Sequence, residues 1–137
     1  MSEALVTHPL LTCSEALAFE QSLLGDDAEA EWQAMSEAGV GVADSLLRDM
    51  RELRTIPHRP RFLFLVGKGH NGGDALVAAK RLLRSIPTAR ASLWPVEPWE
   101  SCKPNVQRAR EELLELAAKR VEELEPLSTL ASPENIE

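Results

Sequence analysis

The chain reads as an α/β protein organised around a strand, turn, helix and strand, and three stretches of sequence predict this. Residues 62–66 form the apolar run Phe-Leu-Phe-Leu-Val, and the glycine-rich string Gly67-Lys68-Gly69-His70-Asn71-Gly72-Gly73-Asp74-Ala75 follows at once. Leu76-Val77-Ala78-Ala79-Lys80-Arg81-Leu82-Leu83 then continues with the spacing of a helix. Glycines can turn at φ > 0 and bring bare N–H groups close to a ligand, and the helix dipole that follows favours negative charge. The sequence therefore predicts an anion site at this turn, most simply one for phosphate.

The elements follow in order. Thr12-Cys13-Ser14-Glu15 has the form of a capping box, and Leu17, Leu23 and Leu24 give an apolar face to a short helix ending near Gly25. Asp26 and Asp27 resemble a second N-cap, and Trp32, Met35, Gly39, Val42, Leu46, Met50 and Leu53 recur at steps of three and four, predicting a helix over 28–54. Gly39 and Gly41 each cost such a helix about 1 kcal/mol against alanine, so close packing against another backbone is expected there. Pro57 and Pro60 end the helix and force an extended link. The strand 62–66 is apolar at every position, the signature of a parallel strand covered on both faces.

After the glycine string, the helix stops near Ser85 before Pro87, and Ala89 to Val96 reads as a second, parallel strand. Ser101 and Pro104 suit the start of a further helix, whose stripe Val106, Ala109, Leu113, Leu116, Ala117, Val121 and Leu124 extends it to 124. From Pro126 the chain is polar and unpatterned. The expected division is an N-terminal arm over 1–10, a domain over 11–125 and a polar tail over 126–137. Two strands and four helices make a small sheet, so the prediction is a truncated Rossmann-like three-layer sandwich, a βαβ unit preceded by two helices.

Composition narrows the function. At 137 residues with 44% hydrophobic side chains, the chain has room for one core. It has no signal-like N-terminus and no run near the roughly 18 apolar residues of a membrane span, which predicts a soluble cytoplasmic protein that engages no membrane. Cys13 and Cys102 are far apart, and their spacing signals neither a disulfide framework nor a zinc site. The net charge of −7 divides into −8 over 1–55, +6 over 56–90 and −5 over 91–137. The basic middle, with Lys68, Lys80, Arg81 and Arg84 around Asp74, predicts a positive field at the turn, while the overall acidity argues against nucleic-acid binding.

The letters of the turn discriminate among glycine-loop chemistries. A P-loop requires Lys and Ser or Thr after its last glycine, whereas Gly72 is followed by Gly73 and Asp74. The dinucleotide pattern G-x-G-x-x-G fits Gly67, Gly69 and Gly72, with Glu97 as the acid that would hold a ribose. The longer string Val66-Gly67-x-Gly69-x-Asn71-Gly72-Gly73-Asp74-x-Leu76-Val77-Ala78-Ala79 resembles the G-x-G-N-N-G-G-D-G-L-V-A-A signature of the YjeF N-terminal domain, the NAD(P)H-hydrate epimerase family. Leu11-Thr12 with Glu15 and Glu20 looks like the family's opening helix, and Met35-Ser36-Glu37-Ala38-Gly39 looks like its M-E-x-A-G helix.

This resemblance implies a domain of nicotinamide nucleotide repair that interconverts the R and S hydrates of NADH and NADPH. It implies substrate contacts at His70, Asn71, Gly72, Gly73 and Asp74, and a potassium ion ligated by Asn71. His70, Lys68 and Ala75 depart from the family's usual asparagine, proline and glycine. The family's proposed catalytic aspartate, second nucleotide loop and remaining ion ligands follow a helix like 104–124, where this chain ends. No catalytic residue is assigned, and Glu97 and Glu100 are the nearest carboxylates to the strand ends. The expectation is an epimerase-like domain, inactive without its other half, which pairs with a chain supplying that half or forms a homodimer. The alternatives are a non-catalytic nucleotide-binding or scaffold module and an ordinary NAD(P)-binding protein.

Overall fold

A computed structural model describes residues 9–53 and 55–130. The arm at 1–8, Arg54 and the tail at 131–137 lie outside the described residues. Helix α1 (Cys13–Leu24) opens with the expected capping box: the Glu15 N–H donates to Thr12 Oγ1 at 3.3 Å, and the Thr12 N–H donates to Glu15 Oε2 at 2.8 Å. These bonds hold the Glu15 carboxyl below its ordinary pKa. Helix α2 (Ala28–Leu53) is capped by Asp27, whose Oδ1 accepts from the N–H groups of Glu29 and Ala30.

The buried face of α2 is Trp32, Met35, Gly39, Ala43 and Leu47. From Gly39 onward it follows steps of four, not the expected line through Val42, Leu46 and Leu53, which are 58%, 39% and 80% exposed. The smaller residues Gly39 and Ala43 take the inner ridge because a neighbouring helix approaches closely there. Gly41 faces open space, so the close contact expected at both glycines exists only at Gly39.

Strands β1 (Arg61–Val66) and β2 (Arg90–Pro95) are parallel, joined by α3 (His70–Ser85) as expected. A third strand, β3 (Val121–Glu123), lies parallel on β2 and gives the order β1-β2-β3. The helix expected to 124 instead ends as α4 (Pro104–Ala117), followed by one 3₁₀ turn over Ala118–Arg120. Val121 and Leu124 continue the helical spacing, but the Leu124 N–H pairs with Leu93 O, and strand pairing takes them. The Ser128 N–H donates to Val96 O, and Leu127–Leu130 forms a short helical turn, α5.

Helices α3 and α4 pack on each other and on one face of the sheet, where Phe62, Phe64, Val66, Ala91 and Leu93 meet Leu76, Leu83, Val106 and Leu113. A second cluster joins Ala43 and Leu47 of α2 to Ala78 and Leu82 of α3. Right-handed crossovers that step repeatedly in one direction put their helices on one side. The opposite face is open, with Leu63 57% and Leu65 61% exposed, and this corrects the expectation of a strand covered twice. Both cysteines are free, Cys13 exposed and Cys102 buried. No helix among the described residues is long and apolar enough to cross a membrane.

The end of α3 rests on Arg120, whose Nη1 donates to the carbonyl oxygens of Leu83, Ile86 and Ala89 at 2.9, 3.3 and 3.3 Å. Charge-assisted bonds to partly buried carbonyls stabilise by about 1.5–3 kcal/mol. Arg120→Ala should therefore lower unfolding stability by about 2 kcal/mol in urea titrations, with Arg120→Lys recovering only part because a point charge cannot span three acceptors.

Candidate functional site

Helix α3 starts at His70, inside the glycine string, so His70 to Asp74 are its first turns and not a loop. Its N-cap is Gly69, in extended conformation and with no side-chain cap. Among the described residues the only glycine at positive φ is Gly25, at 54°. None of the string's glycines therefore turns left-handed, and only Gly72 and Gly73 serve close approach, since a Cβ on Gly67 or Gly69 would meet nothing within 4 Å. A Cβ on Gly72 would sit 1.8 Å from Gly67 O, and one on Gly73 would sit 2.2 Å from Met35 Sδ. On α2, a Cβ on Gly39 would meet Asp74 O at 2.7 Å.

These contacts lock the turn, the first turns of α3 and the middle of α2 into one body. His70, Asn71 and Asp74, at i, i+1 and i+4, consequently face one cavity of about 580 Å³. Its other walls come from α1 (Leu17, Glu20), α2 (Glu31, Met35) and Lys103, which precedes α4. Of the five residues expected to touch a ligand, these three line the cavity, whereas Gly72 and Gly73 are buried behind it. Glu97 and Glu100 do not line it; burial and these two carboxylates push the Cys102 thiol pKa up.

Sequence reasoning missed Glu31 and Lys103. Lys103 Nζ lies 2.9 Å from His70 Nε2, and Glu31 Oε1 lies 3.3 Å from the same nitrogen. The ammonium of Lys103 and the carboxylate of Glu31 thus converge on one imidazole nitrogen, bringing α2, the start of α3 and the segment before α4 together. The Lys103 N–H also donates to Lys68 O, tying the segment after β2 to the glycine turn. A signal for Lys103 was present, because it lies beyond the carboxyl end of β2, where ligands of parallel sheets bind.

The electrostatics differ from the positive field expected from the basic middle of the chain. Lys80 pairs with Glu112 at 2.6 Å and Arg81 with Asp44 at 2.9 Å, and neither side chain lines the cavity. The carboxylates of Glu20, Asp26, Glu31 and Asp74 do line it, against Lys103 and His70. Burial raises the Asp74 pKa above its ordinary value, and His70 offsets part of this. Neither Asn71 nor Asp74 has a side-chain hydrogen bond among the described residues. Their polar atoms are thus available to a bound molecule.

Two outcomes follow. Gly72→Ala should destabilise by about 3 kcal/mol or more, because its new methyl meets backbone, whereas Gly67→Ala, with nothing within 4 Å, should cost far less in the same denaturant titration. Asp74 bears a raised pKa in the fold, so stability falls as pH rises through its unfolded value of 3.8 towards the folded value. Asp74→Asn should therefore raise Tm at neutral pH, and the gain should shrink as pH is lowered towards 4.

Comparison with known proteins agrees with this architecture. The chain is similar to an NAD(P)H-hydrate epimerase of Roseobacter litoralis, at 37% identity over 73 residues that make up 53% of this chain and 31% of the relative. The match thus spans about a third of that relative's length. The profile of the family described as YjeF-related protein N-terminus matches residues 31–135, from the start of the buried face of α2 to beyond α5. The glycine turn, the helix locked against it and the parallel strands all lie inside the matched span, and the chain belongs to this family.

Proposed function

We propose that this domain holds a nicotinamide nucleotide of the hydrated NADH and NADPH class at the start of α3, as one part of an epimerase that interconverts their R and S forms. The observation that carries this reading is the side-by-side exposure of His70, Asn71 and Asp74 to one cavity, with no side-chain hydrogen bond from Asn71 or Asp74 among the described residues. A volume of about 580 Å³ falls within the range of small-molecule sites. The similarity to an NAD(P)H-hydrate epimerase supports the substrate class.

Each residue has a role that its chemistry allows. The N–H groups of the first turn of α3 favour a phosphate, and Gly72 and Gly73, buried behind the cavity, hold that turn against Gly67 and Met35. Asp74 accepts from a sugar hydroxyl or an amide, and the Lys103–His70 pair supplies donors opposite it. Asn71 would offer a potassium ion one hard, neutral oxygen on the cavity wall, and among the described residues no cluster of three or more His, Cys, Asp or Glu side chains is arranged to complete a metal site. When bound, the ion would supply positive charge to the nucleotide. These residues bind and orient, and none is assigned the proton transfer. The ordinary dinucleotide reading loses its ribose acid, because Glu97 lies away from the cavity.

Calorimetric titration of the chain with NADPH in potassium buffer tests the reading. Asn71→Ala and Asp74→Ala should each weaken binding roughly tenfold to a hundredfold, the worth of one hydrogen bond to a charged group. Replacing potassium with tetramethylammonium should weaken it too. Unchanged affinity in both variants would reduce the string to a structural turn, and epimerisation of hydrated NADPH is the direct assay of the chemistry.

A further inference from the structure

The end of the sheet opposite the glycine turn gathers positive charge that the rest of the fold does not answer. A cavity of about 460 Å³ at the amino ends of the strands is lined by Arg59, Arg61, Arg90 and Arg120, with Ser92 and Glu122. β1 spans six residues, and at about 3.3 Å per residue it sets this cavity roughly 20 Å from the glycine turn. The two cavities share no residue.

Topology brings the four guanidinium groups together. Arg61 and Arg90 are register partners on parallel strands, so their side chains leave the same face of the sheet from backbones about 4.8 Å apart. The Arg90 N–H donates to Pro60 O, which holds the link carrying Arg59 against the start of β2. Arg120 closes the 3₁₀ turn before β3, whose Val121 is the register partner of Ala91. Like charges gathered at such spacing repel one another unless an anion lies among them.

Elsewhere in the chain Arg48, Arg81, Arg108 and Arg110 all meet carboxylates. Among the described residues none of the four cavity arginines does, although the chain as a whole has a net charge of −7. Arg90 Nη2 donates to Lys119 O, and Arg120 Nη1 to the three carbonyls at the end of α3. Carbonyl acceptors fix these two groups in place and leave their charge whole. Arg59 and Arg61 have no side-chain hydrogen bond or ion pair among the described residues. Glu122, the one acid of the lining, accepts from Ser92 Oγ.

We infer that this cavity is a second ligand site, for a small molecule carrying two phosphate groups. Each guanidinium presents paired N–H donors in a planar fork that matches phosphate oxygens two at a time. A tetrahedral phosphate offers oxygens in several directions and can be shared by forks arriving from separate segments, whereas a carboxylate offers two in one plane. Four arginines against Glu122 leave an excess of three positive charges, which two phosphate groups at about −1.5 to −2 each would meet. The volume lies within the range of small-molecule sites, and Ala91 and Val121 complete the wall. With Arg90 and Arg120 already held by carbonyls, binding has fewer side chains to order.

Calorimetric titration of the purified chain with pyrophosphate tests this, at about 0.15 M salt so that weak exposed attractions are screened. Binding roughly tenfold or more tighter than that of inorganic phosphate or citrate is expected. Arg59→Gln with Arg61→Gln should weaken it by a similar factor with unchanged circular dichroism, because neither side chain is bonded within the described fold. Without ligand, Tm of this double variant should hold or rise as repulsion is relieved, while pyrophosphate should raise Tm of the unaltered chain only. Bound pyrophosphate should also shield Arg61 and Arg90 from phenylglyoxal, read by peptide mass spectrometry. Absence of binding, equal affinity in the double variant, citrate binding as tightly as pyrophosphate, or protection confined to other residues would each overturn the inference.

Discussion

Much of this domain depends on one steric constraint, the absence of side chains where α2, the turn after β1 and the first turns of α3 meet. Gly39, Gly72 and Gly73 each lie where a single carbon would collide with backbone or with a core methionine. Because the three pieces touch directly, α3 begins at once after β1, and its first turns carry His70, Asn71 and Asp74 out on one side. A looser junction would leave these three groups on a mobile loop. The ordering needed to bind would then fall on the ligand.

The charge distribution follows from which segments meet. The basic middle of the chain spends Lys80 and Arg81 on ion pairs that fasten α3 to α4 and α2, so little of its charge reaches the cavity. Acidic α1 and α2 form the opposite wall and bring Glu20, Asp26 and Glu31 close to Asp74. A site of this kind suits a ligand that carries a cation with its phosphate. Summing charges along the sequence could not show this, because pairing across the fold decides which charges remain.

Local chemistry was largely legible in the sequence. The Thr12 capping box, the Asp27 cap, the β1–α3–β2 unit and the close approach at Gly39 all follow from rules that act over a few residues. What was not legible depends on long-range competition. Val121 and Leu124 fit a helical stripe equally well, and only the waiting edge of β2 turns them into a strand. The β1 run reads as doubly buried, but burial of its second face depends on elements that pack from elsewhere. Lys103 and Glu31 came to the site through topology, as residues beyond a strand end and on a facing helix, where no motif marks them.

Helix α1 walls the cavity with Leu17, Glu20, Gln21 and Leu24, yet none of its side chains is buried. Its attachment passes through Gly25, the one described residue at positive φ, and through a few exposed cap bonds. Segments with so little burial occupy the low end of the local stability range, where opening costs much less than global unfolding. A molecule filling the cavity would act for α1 as a missing core, converting a weakly held flap into a packed helix. Part of its binding free energy would then appear as order in residues 13–24, so affinity and the rigidity of this helix are thermodynamically one quantity.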